Sequence, residues 1–238
     1  FGTIFHLSAQ LAYTDLTATG KTIQKEDLER LLRNDVKLQS YVDQAFKKEL
    51  FKVSPEEKPE YNGVQLINSK VMVAMEKKVS EEITIQTGQG PFTLRLGGTI
   101  DRMDAKESTL RIVDYKTGGS PKIPANIEQL FTPSETRPNY IFQTFLYAAI
   151  MSRQQSLMVA PALLYIHRAA SENYSPVIEM GEPRKPKIPV NNFAFFEDEF
   201  RERLQTLLEE IFSEEEPFRQ TEDTKKGSYC DFKAICKR

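Results

Sequence analysis

Two aspartates and a lysine stand in short runs that read as neighbouring strands. The first run is Gly98-Thr99-Ile100-Asp101-Arg102 and the second Ile112-Val113-Asp114-Tyr115-Lys116-Thr117-Gly118. Carboxylates converging near a lysine are what metal-assisted phosphodiester hydrolysis requires. The acids hold a hard divalent cation through oxygen, and the lysine organises the attacking water or neutralises charge on the phosphate. Alternation puts Phe92, Leu94, Leu96, Gly98 and Ile100 on one strand face, with Thr93, Arg95, Thr99 and Asp101 on the other. In the second run Leu110, Ile112, Asp114 and Lys116 share a face, with Asp114 and Lys116 about 7 Å apart at the backbone. Asp114 closes an apolar strand, which puts its carboxylate where a core strand meets a cleft. A charged turn, Asp104 to Ser108, is expected between the strands. For these residues alone, a solvated charged hairpin accounts for the pattern equally well.

A helix is expected over Asn139 to Met151, entered after Pro138, with Ile141, Phe142, Phe145, Leu146, Ala149 and Ile150 as its apolar stripe. Gln143 and Tyr147, one turn apart, fall together at one edge of that stripe and can reach a phosphate, a base or a metal-bound water jointly, although for this pair alone two boundary residues of an amphipathic helix is the preferred reading. His6, among Phe5, Leu7, Leu11 and Tyr13, reads by itself as a buried structural histidine. Only together with the ordered motifs given next does a neutral imidazole near two carboxylates read as a third metal ligand. Glu76, Glu81 and Glu82 could complete such a site, although solvated surface glutamate is the preferred reading of each. His167 has no motif partner and reads as structural or surface.

In order, Gly2-x-x-x-His6, Gly98-x-Ile100-Asp101-Arg102, Asp114-Tyr115-Lys116-Thr117-Gly118 and Gln143-x-x-x-Tyr147 resemble the RecB-type branch of the PD-(D/E)xK nucleases. These are the nuclease domains at the C-termini of RecB and AddB helicase–nuclease subunits. The resemblance implies a restriction-endonuclease-like α/β core of order αβββαβ, a mixed central sheet flanked by helices. It implies metal binding by His6, Asp101 and Asp114, with Lys116 as the catalytic lysine and Gln143 and Tyr147 supporting it or touching DNA. The implied cofactor is Mg²⁺ or Mn²⁺, and the implied activity is exonucleolytic DNA hydrolysis in repair and recombination. An attached helicase domain or partner helicase subunit is implied as well. A second reading is a catalytically silent nuclease fold that binds DNA or scaffolds a helicase complex. The presence of every motif residue argues against it. Many relatives end in a C-x-x-C-x(5)-C pattern that holds an iron–sulfur cluster. Here Gly227 takes the first position, and Cys230 and Cys236 are the chain's two cysteines. Two thiolates cannot build a four-cysteine cluster, so no iron–sulfur cluster is expected.

The 238 residues are 39% hydrophobic and 28% charged, the profile of a water-soluble globular chain. No run approaches a transmembrane span and the start lacks a cationic signal segment, so cytoplasmic residence is expected. A disulfide between the cysteines is not expected in a reducing compartment. A net charge of −2 disfavours a general nucleic-acid binder. Lys116, Lys122, Arg137, Arg153 and Arg168 nevertheless gather in sequence around the proposed core. The opening Phe1-Gly2-Thr3, already inside a motif, suggests a domain excised from a longer protein.

Helices are expected over Ile4–Tyr13, Lys25–Arg33 and Val36–Phe51, then a Pro- and Glu-rich connector, Ser54 to Asn62, and a helix Leu66–Lys78. Strands follow at Glu82–Thr87, Phe92–Asp101 and Leu110–Thr117, then a proline-rich wall or lid, Gly118 to Pro138. A strand Leu157–Ile166, a linker over 185–189 and a helix Phe193–Phe212 complete the pattern, with a charged segment, Ser213 to Lys226, before the tail. This gives an N-terminal helical part (1–65), a nuclease core (66–192) and a C-terminal helix with tail (193–238), all in one structural domain.

Overall fold

Three strands that follow one another in sequence form an antiparallel meander, and a fourth joins it in parallel. In the computed structural model, which describes residues 2–18, 23–51, 71–169, 171, 174–213, 215 and 233, β1 (Val71–Thr87) and β2 (Gly90–Lys106) make a long hairpin closed at Thr87 and Gly90. A two-residue turn, Glu107-Ser108, leads into β3 (Thr109–Lys116), and Glu107 takes the left-handed φ of +54° that so tight a turn demands. β4 (Met158–Tyr165) lies parallel to β3. A parallel neighbour needs a long crossover. It is made by α4 (Glu128–Phe131) and α5 (Asn139–Gln154). The sheet order is β1-β2-β3-β4.

Both sheet faces are covered, which explains why Leu110-Arg111-Ile112-Val113 is nearly continuous in hydrophobicity. On one face, Ile100, Ile112 and Leu163 pack with Ile141, Phe145 and Ala149 of α5 and with Phe200 and Leu204 of α6 (Ala194–Ile211). Phe145 stands edge-on to Phe193 and Phe200, at 5.3 and 5.9 Å between ring centres. All three rings are fully buried, each such burial being worth roughly 1.5–3 kcal/mol. On the other face, Val113, Tyr115 and Ala162 meet Phe5 and Ala9 of α1 (Gly2–Thr17), with Met75 and Leu164 beside them. α2 (Lys25–Leu32) and α3 (Asp35–Phe51) brace α1, in part through Tyr41, whose hydroxyl donates to Asp15 at 2.7 Å. A short ribbon of β5 (Glu179–Met180) and β6 (Ile188–Pro189) stands apart from the main sheet.

The mixed α/β order agrees with the restriction-endonuclease-like expectation, with several local corrections. From Val71 onward the expected helix Leu66–Lys78 is strand; residues 52–70, with the Ser54–Asn62 connector, lie outside the described residues. The i, i+4, i+7 spacing of Ile67, Val71 and Ala74 imitates a helix, but Val71 and Val73 are β-branched and β2 offers a partner along β1. The helix required before the meander is supplied by α1. β2 continues five residues past Asp101, so Asp104 is a buried strand residue and the turn is confined to 107–108. Within the 185–189 linker, Ile188 and Pro189 form β6. Cys230, Cys236, Gly227 and nearly all of the charged segment fall outside the described residues. Among the described residues, no helix is long and apolar enough to cross a membrane.

Candidate active site

Backbone pairing between β2 and β3 ends at Arg102 opposite Val113, whereas β3 stays paired with β4 as far as Lys116 and Tyr165. The sheet therefore opens just where the motif residues begin. One step beyond the last pair, Asp101 and Asp114 come opposite one another. Both carboxylates are buried, at 7% and 3% exposure. In the gap, Asp101 Oδ2 accepts the backbone N–H of Tyr115 at 2.6 Å and replaces a missing ladder bond. A buried N–H without a partner would cost about 1–3 kcal/mol, so the carboxylate is structurally fixed.

Helix α1 brings His6 to the same gap. His6 Nδ1 lies 3.3 Å from Asp101 Oδ1 and 3.5 Å from Glu76 Oε1. One nitrogen or carboxylate oxygen from each of His6, Glu76 and Asp101, atoms that could hold a metal ion, lies within 4.8 Å of the others. Hydrogen bonding to Asp101, and secondly to Glu76, pushes the His6 pKa up to about 10. The two acids thus favour the protonated ring over the neutral one. Glu76 reaches this position because its φ is +50°, a left-handed kink within β1 that a non-glycine residue adopts at a cost of order 1–3 kcal/mol. Of the three glutamates considered from sequence, Glu81 pairs with Arg201 at 3.0 Å and Glu82 with Arg95 at 3.9 Å, so only Glu76 joins the cleft. Its signal in the sequence was hidden by the apparent helix.

Asp114 and Lys116 share a strand face as the alternation predicts, and Lys116 Nζ lies 2.5 Å from Asp114 Oδ2. Asp114 is not one of the tight His6–Glu76–Asp101 group, but it is close enough for Asp101 to raise its pKa and His6 to lower it. Burial dominates and pushes the Asp114 carboxyl up to about 6, against the pull of Lys116. The lysine is held from a second side. It donates to Gln143 Oε1 at 3.2 Å, and Gln143 Nε2 donates to the Tyr147 hydroxyl at 3.1 Å. The ammonium also sits 4.3 Å from the centre of the Tyr140 ring, a cation–π contact that spacing alone did not suggest. The expected Gln143–Tyr147 pair is therefore real as geometry, with Tyr147 buried and its hydroxyl pressed against Gly98. A Cβ on Gly98 would come within 2.5 Å of that hydroxyl. His167 is exposed on the 3₁₀ turn Ile166–Arg168 and takes no part.

The donor set fits a hard divalent cation. The carboxylates of Glu76 and Asp101 converge with one imidazole, and the carboxylates of Asp101 and, beside this group, Asp114 are buried. A family model described as the PD-(D/E)XK nuclease superfamily matches residues 1–237. No curated protein matches the chain. A solved structure described as "Crystal structure of SSO0001" aligns over 99% of this chain and 96% of that one, at 12% identity and a TM-score of 0.29.

Proposed function

Because this chain belongs to the PD-(D/E)XK nuclease superfamily, we propose that it is a divalent-metal-dependent deoxyribonuclease, the nuclease part of a RecB/AddB-like helicase–nuclease acting in DNA repair. The observation that carries this reading is the convergence of His6, Glu76 and Asp101 within 4.8 Å, beside the Asp114–Lys116 pair. His6, Asp101 and Asp114 hold Mg²⁺ or Mn²⁺, and Glu76 adds a fourth donor. A bound cation of this kind supplies Lewis-acid stabilisation of the phosphate and lowers the pKa of water.

The chain's own groups do the rest. Lys116, fixed by Asp114, Gln143 and Tyr140, keeps an ammonium aimed along the open edge of β3. There it donates to the attacking water or to a non-bridging phosphate oxygen, and its position costs no reorganisation during the reaction. Gln143 and Tyr147 form the rail that keeps Lys116 from swinging toward solvent. Exonucleolytic action and a covalently or non-covalently attached helicase follow from the motif resemblance and belong to the same proposal.

Cleavage of end-labelled single- and double-stranded DNA tests it, with Mg²⁺, with Mn²⁺ and with chelator. Metal-dependent cleavage is expected, falling by at least about 10²-fold in Asp114→Ala and Lys116→Ala while both variants keep a native circular dichroism spectrum. Full activity in both variants, or no cleavage by the unaltered chain in either metal, would overturn the reading.

A further inference from the structure

We propose that Arg102 is the positioning residue that sets helix α1, and with it the His6 imidazole, at the distance from Asp101 and Glu76 that a shared cation requires. This rests on reading the cleft as a metal site. His6 and Tyr13 are seven positions apart on α1, two turns along one helix face. One end of that face reaches the carboxylates through His6, and the other reaches Arg102, whose Nη1 donates to the Tyr13 hydroxyl at 3.0 Å. The guanidinium also stacks between two rings, 5.6 Å from the centre of Tyr13 and 5.7 Å from that of Tyr115.

Arg102 is anchored firmly enough to act as a spacer. Its side chain is 11% exposed, and its Nε lies 3.2 Å from Asp104 Oδ2. Asp104 is itself gripped by Arg111 through two bonds of 3.0 Å, so the carboxylate that holds Arg102 is fixed in place. A planar guanidinium held at both ends cannot pivot as an ammonium would. Tyr115 carries the constraint onward. Its ring stands edge-on to His6 at 5.5 Å, and its backbone N–H binds Asp101. Arg102 thus touches α1 directly and touches the imidazole's neighbour, while contacting no ligand atom itself. Groups bonded directly to metal ligands change metal affinity by about 10–100-fold when altered, and Arg102, acting through Tyr13 and Tyr115, is expected near the lower end of that range.

The experiment measures the Mn²⁺ dissociation constant of the full chain by electron paramagnetic resonance, for the unaltered protein and for Arg102→Lys, Tyr13→Phe and His6→Ala. Folding is verified by near-ultraviolet circular dichroism. Arg102→Lys is expected to weaken Mn²⁺ binding about tenfold or more, and Tyr13→Phe less but in the same direction. A purely structural role would lower the melting temperature and leave the affinity of the folded protein unmoved. That result, with His6→Ala weakened, overturns the positioning role and leaves the metal site standing. Unchanged affinity in His6→Ala instead refutes His6 as a ligand, and this inference falls with it. Should Arg102→Lys fail to fold, Tyr13→Phe decides alone, because it removes one hydroxyl and keeps the ring.

Discussion

The Asp101 carboxylate accepts the Tyr115 backbone N–H at 2.6 Å, across the gap where β2 and β3 separate. One of its oxygens therefore maintains the sheet while the other, 3.3 Å from His6, faces the cleft. Structure and chemistry are divided between two atoms of one side chain.

That division can be tested with two substitutions. Asp101→Asn keeps a carbonyl for the Tyr115 N–H and loses the charge, so the fold should persist while metal binding and cleavage disappear. Asp101→Ala also strands the N–H and should cost a further 1–3 kcal/mol or so of stability in denaturant titration. Equal stability of the two variants would show that the hydrogen bond does not support the sheet.

Gly98→Ala should lower activity without replacing Lys116 or any candidate metal ligand. The added Cβ would lie 2.5 Å from the Tyr147 hydroxyl, which must move and break its bond to Gln143. Lys116 then loses the support that Gln143 receives. A fall of about tenfold or more in kcat with Mn²⁺ affinity unchanged is expected, since the ligands stay in place. Unaltered kcat would remove Tyr147 from the lysine's support.

For metal-free protein, the raised pKa of His6 fixes the sign of a pH effect. The imidazolium is favoured in the folded state, from the ordinary 6.5 up to about 10. Its stabilising contribution is complete below about pH 6.5 and lost as pH rises through about 10. With chelator present, the unaltered chain should lose more melting temperature between pH 7 and 10 than His6→Gln does. The effect will be smaller than the shift alone implies, because the ring is partly exposed to solvent. Nitrogen-15 spectra showing a neutral His6 ring at pH 7.5 would contradict the assignment.

Asp114 with Lys116, and Gln143 with Tyr147, were legible because each pair lies on a single element whose period places it: two residues on a strand, four on a helix. His6 was legible only through the ordered motif set, since its apolar neighbours describe an ordinary helix face. Glu76 was not legible, because it depends on a left-handed residue inside a strand that resembles a helix by spacing. The burial of Asp104 was missed for a related reason. Its partners Arg102 and Arg111 meet it through strand register, and Asp-Ala-Lys-Glu-Ser alone has the composition of a turn.

Helix α1 carries His6 yet contributes, among its described residues, a single buried residue, Thr17. Strand β3 and helix α5, by contrast, are deeply packed. Local unfolding free energies follow such differences, so α1 is the site-bearing helix that detaches at least cost, and its amides exchange with solvent sooner than those of α5. Each opening of α1 removes the imidazole from the acids. Anything that binds between them closes that equilibrium by mass action, and so the protection of backbone amides in the first sixteen or so residues becomes a direct measure of how often the cleft is filled.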